Sequence, residues 1–422
     1  MKRPAFLVAG GFLILIAIGT ALLSLPVAHA PGQSYDFITS LFTATSAVCL
    51  TGLIVVDTAS YFSHTGQAII MVLIQLGGLG IMTLTVLVSW LALGKVGLTS
   101  SITTTAEGRV SHLGDVKKAV LTIVGISLTM ELLTAILLAA RFAKGYDFAP
   151  GQAVWQGGFH AVSAFNNAGF ALHSDSLIPY ANDALILLPV AAAIIVGGVG
   201  FYIVAAPSRA MKSLSGWFTV WGTIILLLVG TLGARMFEDT SWLLSFFHSA
   251  TTRTAGFNAI DMETIHPGYI VLTEVLMAIG GGSGGTAGGV RITTVAVLLV
   301  VVLAEVRGRE EVDIRRKRIP NATVRQALAV IMMSLTLIVG ATLGVTMLAP
   351  ELGMEKVTFE VISAFSTTGL SLGITDALPP AAQLILIVLM FAGRIGPITV
   401  VAALASQKRS HLSYPKERPF IG

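Results

Sequence analysis

Charge is what this sequence has least of. Only 11% of its 422 residues are Asp, Glu, Lys or Arg, against roughly 25% in soluble domains, and its mean hydropathy is +0.84. That deficit excludes an ordinary water-soluble domain and puts the chain in a membrane. Cysteine is nearly absent too: Cys49 stands alone, which excludes an intramolecular disulfide framework and a multi-cysteine metal centre. There is no G-x-x-x-x-G-K-[ST] run, so nothing points to ATP bound by this chain. No metal-ligand cluster or nucleophile–base set stands out at membrane depth either. The reading is of a protein that is not an enzyme and has no nucleic-acid partner.

What is present is apolar length. Hydropathy predicts eight spans, near 5–25, 67–93, 118–141, 184–206, 217–236, 268–303, 325–348 and 381–405, each long enough for the ~20 residues a crossing helix needs. The first follows Lys2-Arg3 but exceeds the ~7–15 apolar residues of a signal peptide, so it is read as a retained helix. Four shorter, mixed segments lie between successive pairs, near 37–56, 152–174, 241–260 and 356–375. Each is too short and polar to cross alone and is read as a segment that dips into the bilayer and returns. Backbone of that kind persists at membrane depth only where protein or a water-filled cavity surrounds it.

Lys and Arg sort to one side. The amino terminus, the loops 93–118, 207–216 and 304–325, and the carboxyl terminus hold 19 of them. The other side holds five: Arg141, Lys144, Arg235, Arg253 and Lys356. The positive-inside rule puts both termini in the cytoplasm. Acids gather outside, among them Asp36, Asp57, Asp147, Asp175, Asp261, Glu263, Glu351 and Asp376. They would enrich cations at a pore mouth, although outer loops also lack basic residues by default.

The four short segments repeat one another. Aligned on Gly52, Gly169, Gly256 and Gly369, each has Phe ten residues earlier (Phe42, Phe159, Phe246, Phe359). Each also has Ser or Ala six earlier (Ser46, Ser163, Ala250, Ser363) and Leu or Phe directly after. An Asp follows at Asp57, Asp175, Asp261 and Asp376. Small-residue helix packing accounts for a glycine or two, not for this shared pattern. The residues before each glycine suit a half-helix whose partially negative C-terminal end points at the membrane centre and favours a cation. Each glycine then lets the chain return with its carbonyl turned inward. Four such loops would ring one axis with oxygens able to replace a cation's hydration shell.

Leu50-Thr-Gly-Leu53, Asn167-Ala-Gly-Phe170, Thr252-Arg-Thr-Ala-Gly-Phe-Asn258 and Ser366-Thr-Thr-Gly-Leu370 resemble the filter loops of the Trk/Ktr/HKT cation transporters. The resemblance covers nearly the whole chain. It implies an all-α integral membrane protein of four membrane–pore–membrane units around one central pore. Eight spans without an extra amino-terminal pair favour the Ktr-type K⁺-uptake membrane subunit. The implied filter comprises Cys49, Leu50, Thr51 and Gly52, then Asn166, Asn167, Ala168 and Gly169. It continues with Arg253, Thr254, Ala255 and Gly256, and with Ser366, Thr367, Thr368 and Gly369. K⁺ would be held by backbone carbonyls of Thr51, Gly52, Ala168, Gly169, Ala255, Gly256, Thr368 and Gly369. In this family glycine in all four filters goes with K⁺ selectivity, whereas serine in the first accompanies Na⁺ permeation. The resemblance further implies a cytosolic RCK-type nucleotide-binding ring as partner, a homodimer with one pore per protomer, and residence in a bacterial cytoplasmic membrane. Na⁺ dependence stays open.

Gly280, Gly281, Gly282, Ser283, Gly284, Gly285, Thr286, Ala287, Gly288 and Gly289 interrupt the sixth apolar segment. This run formally contains G-x-G-x-x-G but lacks the βαβ context of a dinucleotide site. Broken transporter helices commonly line a substrate path, and the run resembles the gating loop beneath the Ktr filter. A flexible kink is the plainer alternative. Arg394 falls in the middle of the last span, where an arginine costs ~2.5–3.5 kcal/mol on insertion scales, so it should face inward. It resembles the arginine that raises the barrier below the filter in this family; an anchor between helices is the alternative. Glu274, Glu131 and carbonyls of the 280–289 loop are its candidate partners; Arg291 lies just past the loop, with an interfacial place an equal alternative. The mixed run Arg307–Arg318, with Glu310, Glu311 and Asp313, is a solvated loop or a surface for a soluble partner or anionic lipid. The sequon Asn321-Ala-Thr323 falls on the cytoplasmic side and is set aside.

The organisation so read is repeat one at 1–95, a linker at 96–117, repeat two at 118–210, repeat three at 211–308, repeat four at 309–406 and a tail at 407–422. K⁺ would enter down its electrochemical gradient. A potential of ~150 mV supplies roughly 3.5 kcal/mol per charge. Two rivals are a Na⁺-permeable or unselective channel of the same family and a coupled transporter of another solute. The latter would show two related halves with a midplane pocket.

Overall fold

The computed structural model describes residues 2–93, 113–309 and 311–396. Most of the linker 96–117, Glu310, positions 397–405 of the last span and the tail 407–422 lie outside the described residues.

Among the described residues, thirteen helices of ten or more residues succeed one another. They are α1 (Lys2–Leu23), α2 (Phe37–Cys49), α3 (His64–Leu93), α4 (Leu113–Gly145), α5 (Pro150–Phe165), α6 (Ala184–Val199) and α7 (Leu214–Glu238). There follow α8 (Trp242–Thr251), α9 (Pro267–Ala278), α10 (Ile292–Val306), α11 (Asn321–Leu348), α12 (Met354–Ser366) and α13 (Pro380–Ile395). One hairpin, β1 (Asp313–Ile314) with β2 (Lys317–Arg318), precedes α11. Starts are set locally. Asp36, Asp183, Ser213 and Ser241 accept from backbone N–H groups of the first turns of α2, α6, α7 and α8. Pro150, Pro267 and Pro380 occupy first helical positions, where no N–H is needed.

Among the described residues, three helices are long and apolar enough to cross a membrane: Lys117–Gly145, Leu214–Glu238 and Asn321–Leu348. Their outward faces are apolar: Leu128, Leu132 and Ile136 on α4, Ile225, Leu228 and Leu232 on α7, and Met332, Leu335 and Leu343 on α11 are exposed. The polar groups sit inside, where Thr45, Ser46, Thr51, Asn166, Thr251, Glu360 and Thr368 are buried. This inversion of the soluble pattern suits hydrocarbon as the surrounding solvent.

The helices fall into four consecutive sets, each with a short helix between two others in chain order; the short helix packs on both in the first, second and fourth sets, whereas in the third α8 packs on α7 and on α6 of the preceding set. The sets join in a ring. α3 packs on α5 of the next set, α6 on α8, α9 on α12, and α13 returns to α2.

Three of the apolar segments are not single helices over their full read bounds, and only the break within 268–303 was marked in the sequence, by its glycine run. The span at 184–206 ends as a helix at Val199, because Gly200 has φ +104°, and resumes as a single turn at Phe201–Ala205. The segment 268–303 is two helices, α9 and α10, separated by 279–291. α13 stops at Ile395, where Gly396 has φ +91°. A glycine in an apolar run breaks a helix in one place and is tolerated in another, so hydropathy alone missed the break at Gly200.

Candidate functional site

The C-terminal ends of α2, α5, α8 and α12 are followed by the four aligned glycines, and the backbone takes the same turn in each. Leu50, Asn167, Thr254 and Thr367 have φ between +50° and +70°, and Gly52, Gly169, Gly256 and Gly369, two residues later, have φ between +73° and +92°. The residue between them has negative φ in every copy. Alternating signs of φ aim successive carbonyls to one side, whereas a strand alternates them. A non-glycine residue held at such a φ stores strain, and strain of this kind concentrates at functional sites.

The four glycines touch in a closed ring. A methyl on Gly52 would stand 2.5 Å from Ala168 O, one on Gly169 2.8 Å from Ala255 O, one on Gly256 2.2 Å from Thr368 O, and one on Gly369 2.1 Å from Thr51 O. Each contact is to the residue before the next glycine, in chain order, and the fourth returns to the first. Nothing larger than hydrogen fits at any of the four corners.

Above the ring lies a cavity of about 430 Å³ whose lining includes all four glycines together with Asp57, Asp175, Asp261, Glu263 and Asp376. The four aspartates of the repeat therefore meet in one place. Asp57 is tied down by the hydroxyls of Ser60 and Ser174, and Asp261 by the amide of Glu263.

The loop 279–291 lies against the other side. Thr286 Oγ1 donates to Phe165 O, at the end of α5, at 3.3 Å. Gly288 N donates to Thr254 Oγ1 at 3.3 Å, and a methyl on Gly288 would meet Ser366 O at 2.7 Å. The loop thus reaches three of the four turns. It is seated on α6, where Gly198 O and Gly197 O accept from Gly282 N and Thr286 N at 2.9 and 3.1 Å. It is closed on itself by Gly280 N donating to Val290 O at 2.8 Å. Most of its glycines serve close packing: only Gly284 and Gly289 have positive φ.

Arg394 is buried and donates from Nη1 to Thr286 O, so the loop carbonyl is its partner. Glu131 instead accepts from Ser127 and Asn166. Arg291 also binds the loop. Its Nη1 donates to Gly282 O at 3.2 Å and to Ala287 O, stapling the loop from below.

Two residues read as filter turn their side chains outward. Asn166 Nδ2 donates to Gln75 Oε1, Glu131 Oε1 and Val162 O, and Arg253 Nη2 donates to Thr223 Oγ1 on α7 at 3.3 Å. The sequence reading missed Gln75, Ser127, Gly197 and Gly198. Gln75 and Glu131 carried a signal, being polar residues inside apolar runs; Gly197 and Gly198 carried none.

The third set departs from the rest. In the first, second and fourth, the N–H of Thr51, Ala168 and Thr368 donates to the carbonyl of Ser46, Ser163 and Ser363 at 2.8–2.9 Å. In the third, Ala255 N donates to Thr251 O at 2.9 Å and Gly256 N to the same oxygen at 3.2 Å. Gly52 N and Gly369 N donate to Ser46 Oγ and Ser363 Oγ at 3.0 Å, while Ala250 offers no hydroxyl. Helix packing departs too. Gly77, Gly197 and Gly393 lie against Val48 O, Phe165 O and Phe365 O, so that an added methyl would overlap each carbonyl within 2.2 Å. The third set has the broken helix at that place.

The family model described as TrkH, cation transport protein, matches residues 6–218 and 218–412. The chain belongs to the TrkH cation transport family. It is therefore a multi-pass membrane protein of a transporter family. The Ktr system potassium uptake protein B of Bacillus subtilis (strain 168) is 38% identical over 436 residues, covering 99% of this chain and 97% of that relative. The potassium/sodium uptake protein NtpJ of Enterococcus hirae is 36% identical over 440 residues, with 99% and 97% covered. The crystal structure of the potassium transporter TrkH from Vibrio parahaemolyticus aligns at a TM-score of 0.74 and 21% identity, covering 94% of this chain and 85% of that one. The helical fold is shared with it.

Proposed function

We propose that this family member takes up K⁺ across a bacterial cytoplasmic membrane through one pore at the glycine ring. The observation that carries the reading is the closed ring itself, four glycines in chain order with each methyl position filled by the next repeat's carbonyl. The carbonyls of Thr51, Gly52, Ala168, Gly169, Ala255, Gly256, Thr368 and Gly369 coordinate the ion in place of water. The four short helices aim their C-terminal ends at it, and the acidic cavity concentrates cations at the mouth.

In this reading eight helices or helix pairs cross the membrane with both termini in the cytoplasm, and α2, α5, α8 and α12 with their turns are re-entrant loops. The four sets are the repeats 1–95, 118–210, 211–308 and 309–406. The loop 280–289 is the gate. It is held under the filter by Arg394, whose charge also opposes a cation at that point. Membrane potential drives entry, and no ATP is consumed by this chain. The potassium uptake names of the relatives support K⁺ as the permeant ion, and the joint potassium/sodium name of the Enterococcus hirae relative keeps Na⁺ as a second cation. A homodimer and a cytosolic RCK-type ring complete the assembly.

Purified protein in liposomes, with K⁺ and Na⁺ flux compared under an imposed potential, tests this. Flux favouring K⁺ is expected. Equal flux of the two ions indicates an unselective channel, and no cation flux sinks the reading. Restored growth of a K⁺-uptake-deficient bacterium at low K⁺ is the cellular counterpart.

A further inference from the structure

Glu131 is a buried acid outside the ring, the cavity and the loop. It sits in the middle of α4 and is 6% exposed. Among the described residues no cation pairs with it. Its Oε1 accepts from Ser127 Oγ at 2.7 Å and from Asn166 Nδ2 at 3.2 Å. Asn166 Nδ2 also donates to Gln75 Oε1 at 3.0 Å, and Gln75 Nε2 donates to Ser127 Oγ at 3.3 Å. The four side chains close a polar circuit between α3, α4 and the end of α5. An intramembrane acid is costly to keep and is held where it has a use.

Its place indicates the use. Asn166 caps α5 and immediately precedes Asn167, whose φ of +55° starts the turn into Gly169. Gln75 belongs to the helix set before this turn and Glu131 to the set that contains it. The second turn is therefore registered against both neighbours at once. The fit is tight: a methyl on Gly78 of α3 would overlap Asn166 Oδ1 at 1.8 Å. The equivalent positions three residues before the other glycines are Cys49, Arg253 and Ser366. None of them reaches an acid.

We propose that Glu131, acting through Asn166, is a positioning residue that fixes the second turn of the ring and so sets how well the pore discriminates K⁺ from Na⁺. The proposal rests on the ring being the filter. Glu131 touches no ion in this role. It supplies a buried oxygen that accepts from Asn166 Nδ2, and a buried donor left without its acceptor is costly. A turn released from this hold relaxes its carbonyls, and a relaxed ring accommodates the smaller Na⁺ more readily.

The test compares Glu131→Gln and Glu131→Leu in liposomes, reading the K⁺/Na⁺ flux ratio per folded molecule. Gln keeps an acceptor oxygen and should hold the ratio near that of the unmodified protein. Leu removes it, and the ratio should fall about fivefold to tenfold, the loss of one buried hydrogen bond expressed as a ratio. Gln75→Leu, which removes the other acceptor, should lower the ratio in the same direction and serves if Glu131→Leu does not fold. Gly52→Ser is run beside them. If it lowers the ratio while the folded Leu variants leave it unchanged, Glu131 is only a helix contact and the proposal is overturned. If Gly52→Ser also leaves the ratio unchanged, it is the filter reading that falls.

Discussion

The third repeat-like set differs from the other three, and the difference separates what makes a ring from what closes it. In the first, second and fourth sets a glycine of the following helix presses on the carbonyl at the end of the short helix, and one backbone hydrogen bond closes each turn in the same way. These sets are built alike and rigidly. In the third the following helix is broken, its glycines spread into the loop 279–291, and the turn is closed by a different bond to Thr251 O. Yet Thr254 and Gly256 keep the dihedral signs of their counterparts. The ring therefore tolerates a changed support but not a changed backbone, and the third set has been released from supporting the ring rigidly in order to supply something that sits under it.

The strongest challenge to this comparison is a methyl in the ring. Gly369→Ser and Gly256→Ser should each lower the K⁺/Na⁺ flux ratio by about tenfold. The added Cβ would lie 2.1 or 2.2 Å from a backbone carbonyl, displacement in packed surroundings costs about 1–3 kcal/mol, and 1.4 kcal/mol is tenfold. Gly11→Ser is the control, since a Cβ there meets nothing within 4 Å. A ratio that falls at Gly369 but survives at Gly256 would show that the third corner is loose, and the ring would then be threefold in function.

Next in size is the loop. Removing several residues from 280–289 should raise K⁺ flux per folded molecule and free it from a cytosolic regulator. Arg394→Ala, which removes the donor to Thr286 O, should raise flux in the same direction by less. Flux at the unmodified rate with less folded protein would mark Arg394 as an anchor and the loop as packing. Cysteines placed in the loop, with Cys49 replaced by Ala, should react with impermeant reagents from the cytoplasmic side, and less when the pore is closed.

The smallest effects sharpen the comparison within the ordinary sets. Ser46→Ala and Ser363→Ala leave the amides of Gly52 and Gly369 without their hydroxyl acceptors, which should cost about 1–3 kcal/mol each in thermal unfolding. Ser163→Ala should cost little, because Ser163 Oγ has no partner among the described residues. Equal losses at all three would mean that the second set is held like the first and fourth, and not through Asn166.

Much of this was legible in the sequence because the repeat was. Phe, Ser or Ala and Gly at fixed spacing located the four turns, and the aspartates that follow them do meet in one cavity. The glycine run marked the break between α9 and α10. What could not be read was direction. Spacing assigns Asn166 and Arg253 to the turns, but whether a side chain faces the axis or a flanking helix depends on which helix set comes next to which. Arg394 illustrates the same limit. Its burial followed from the cost of a charge in an apolar helix, whereas its partner, one carbonyl among ten residues of loop, followed only from packing. Gly197 and Gly200 look like tolerated small residues in a long apolar run, and the seat they form for the loop appears only when both are in place.

The ring contact between Gly369 and Thr51 O carries a consequence for how the molecule comes to exist. The other three corners join neighbours in the chain, and each can form as soon as its second member is synthesised. This corner, with α13 returning to α2, joins the two ends and is the most non-local contact of the four. Contacts of that kind form late, because loop closure must precede them. Until α12 and α13 are in place, the first three turns leave one corner open, and Thr51 O lacks the Gly369 backbone that packs against it. If the ring is the filter proposed above, a chain truncated before Met354 should show no K⁺-selective flux: the last set made is the one that closes the ring.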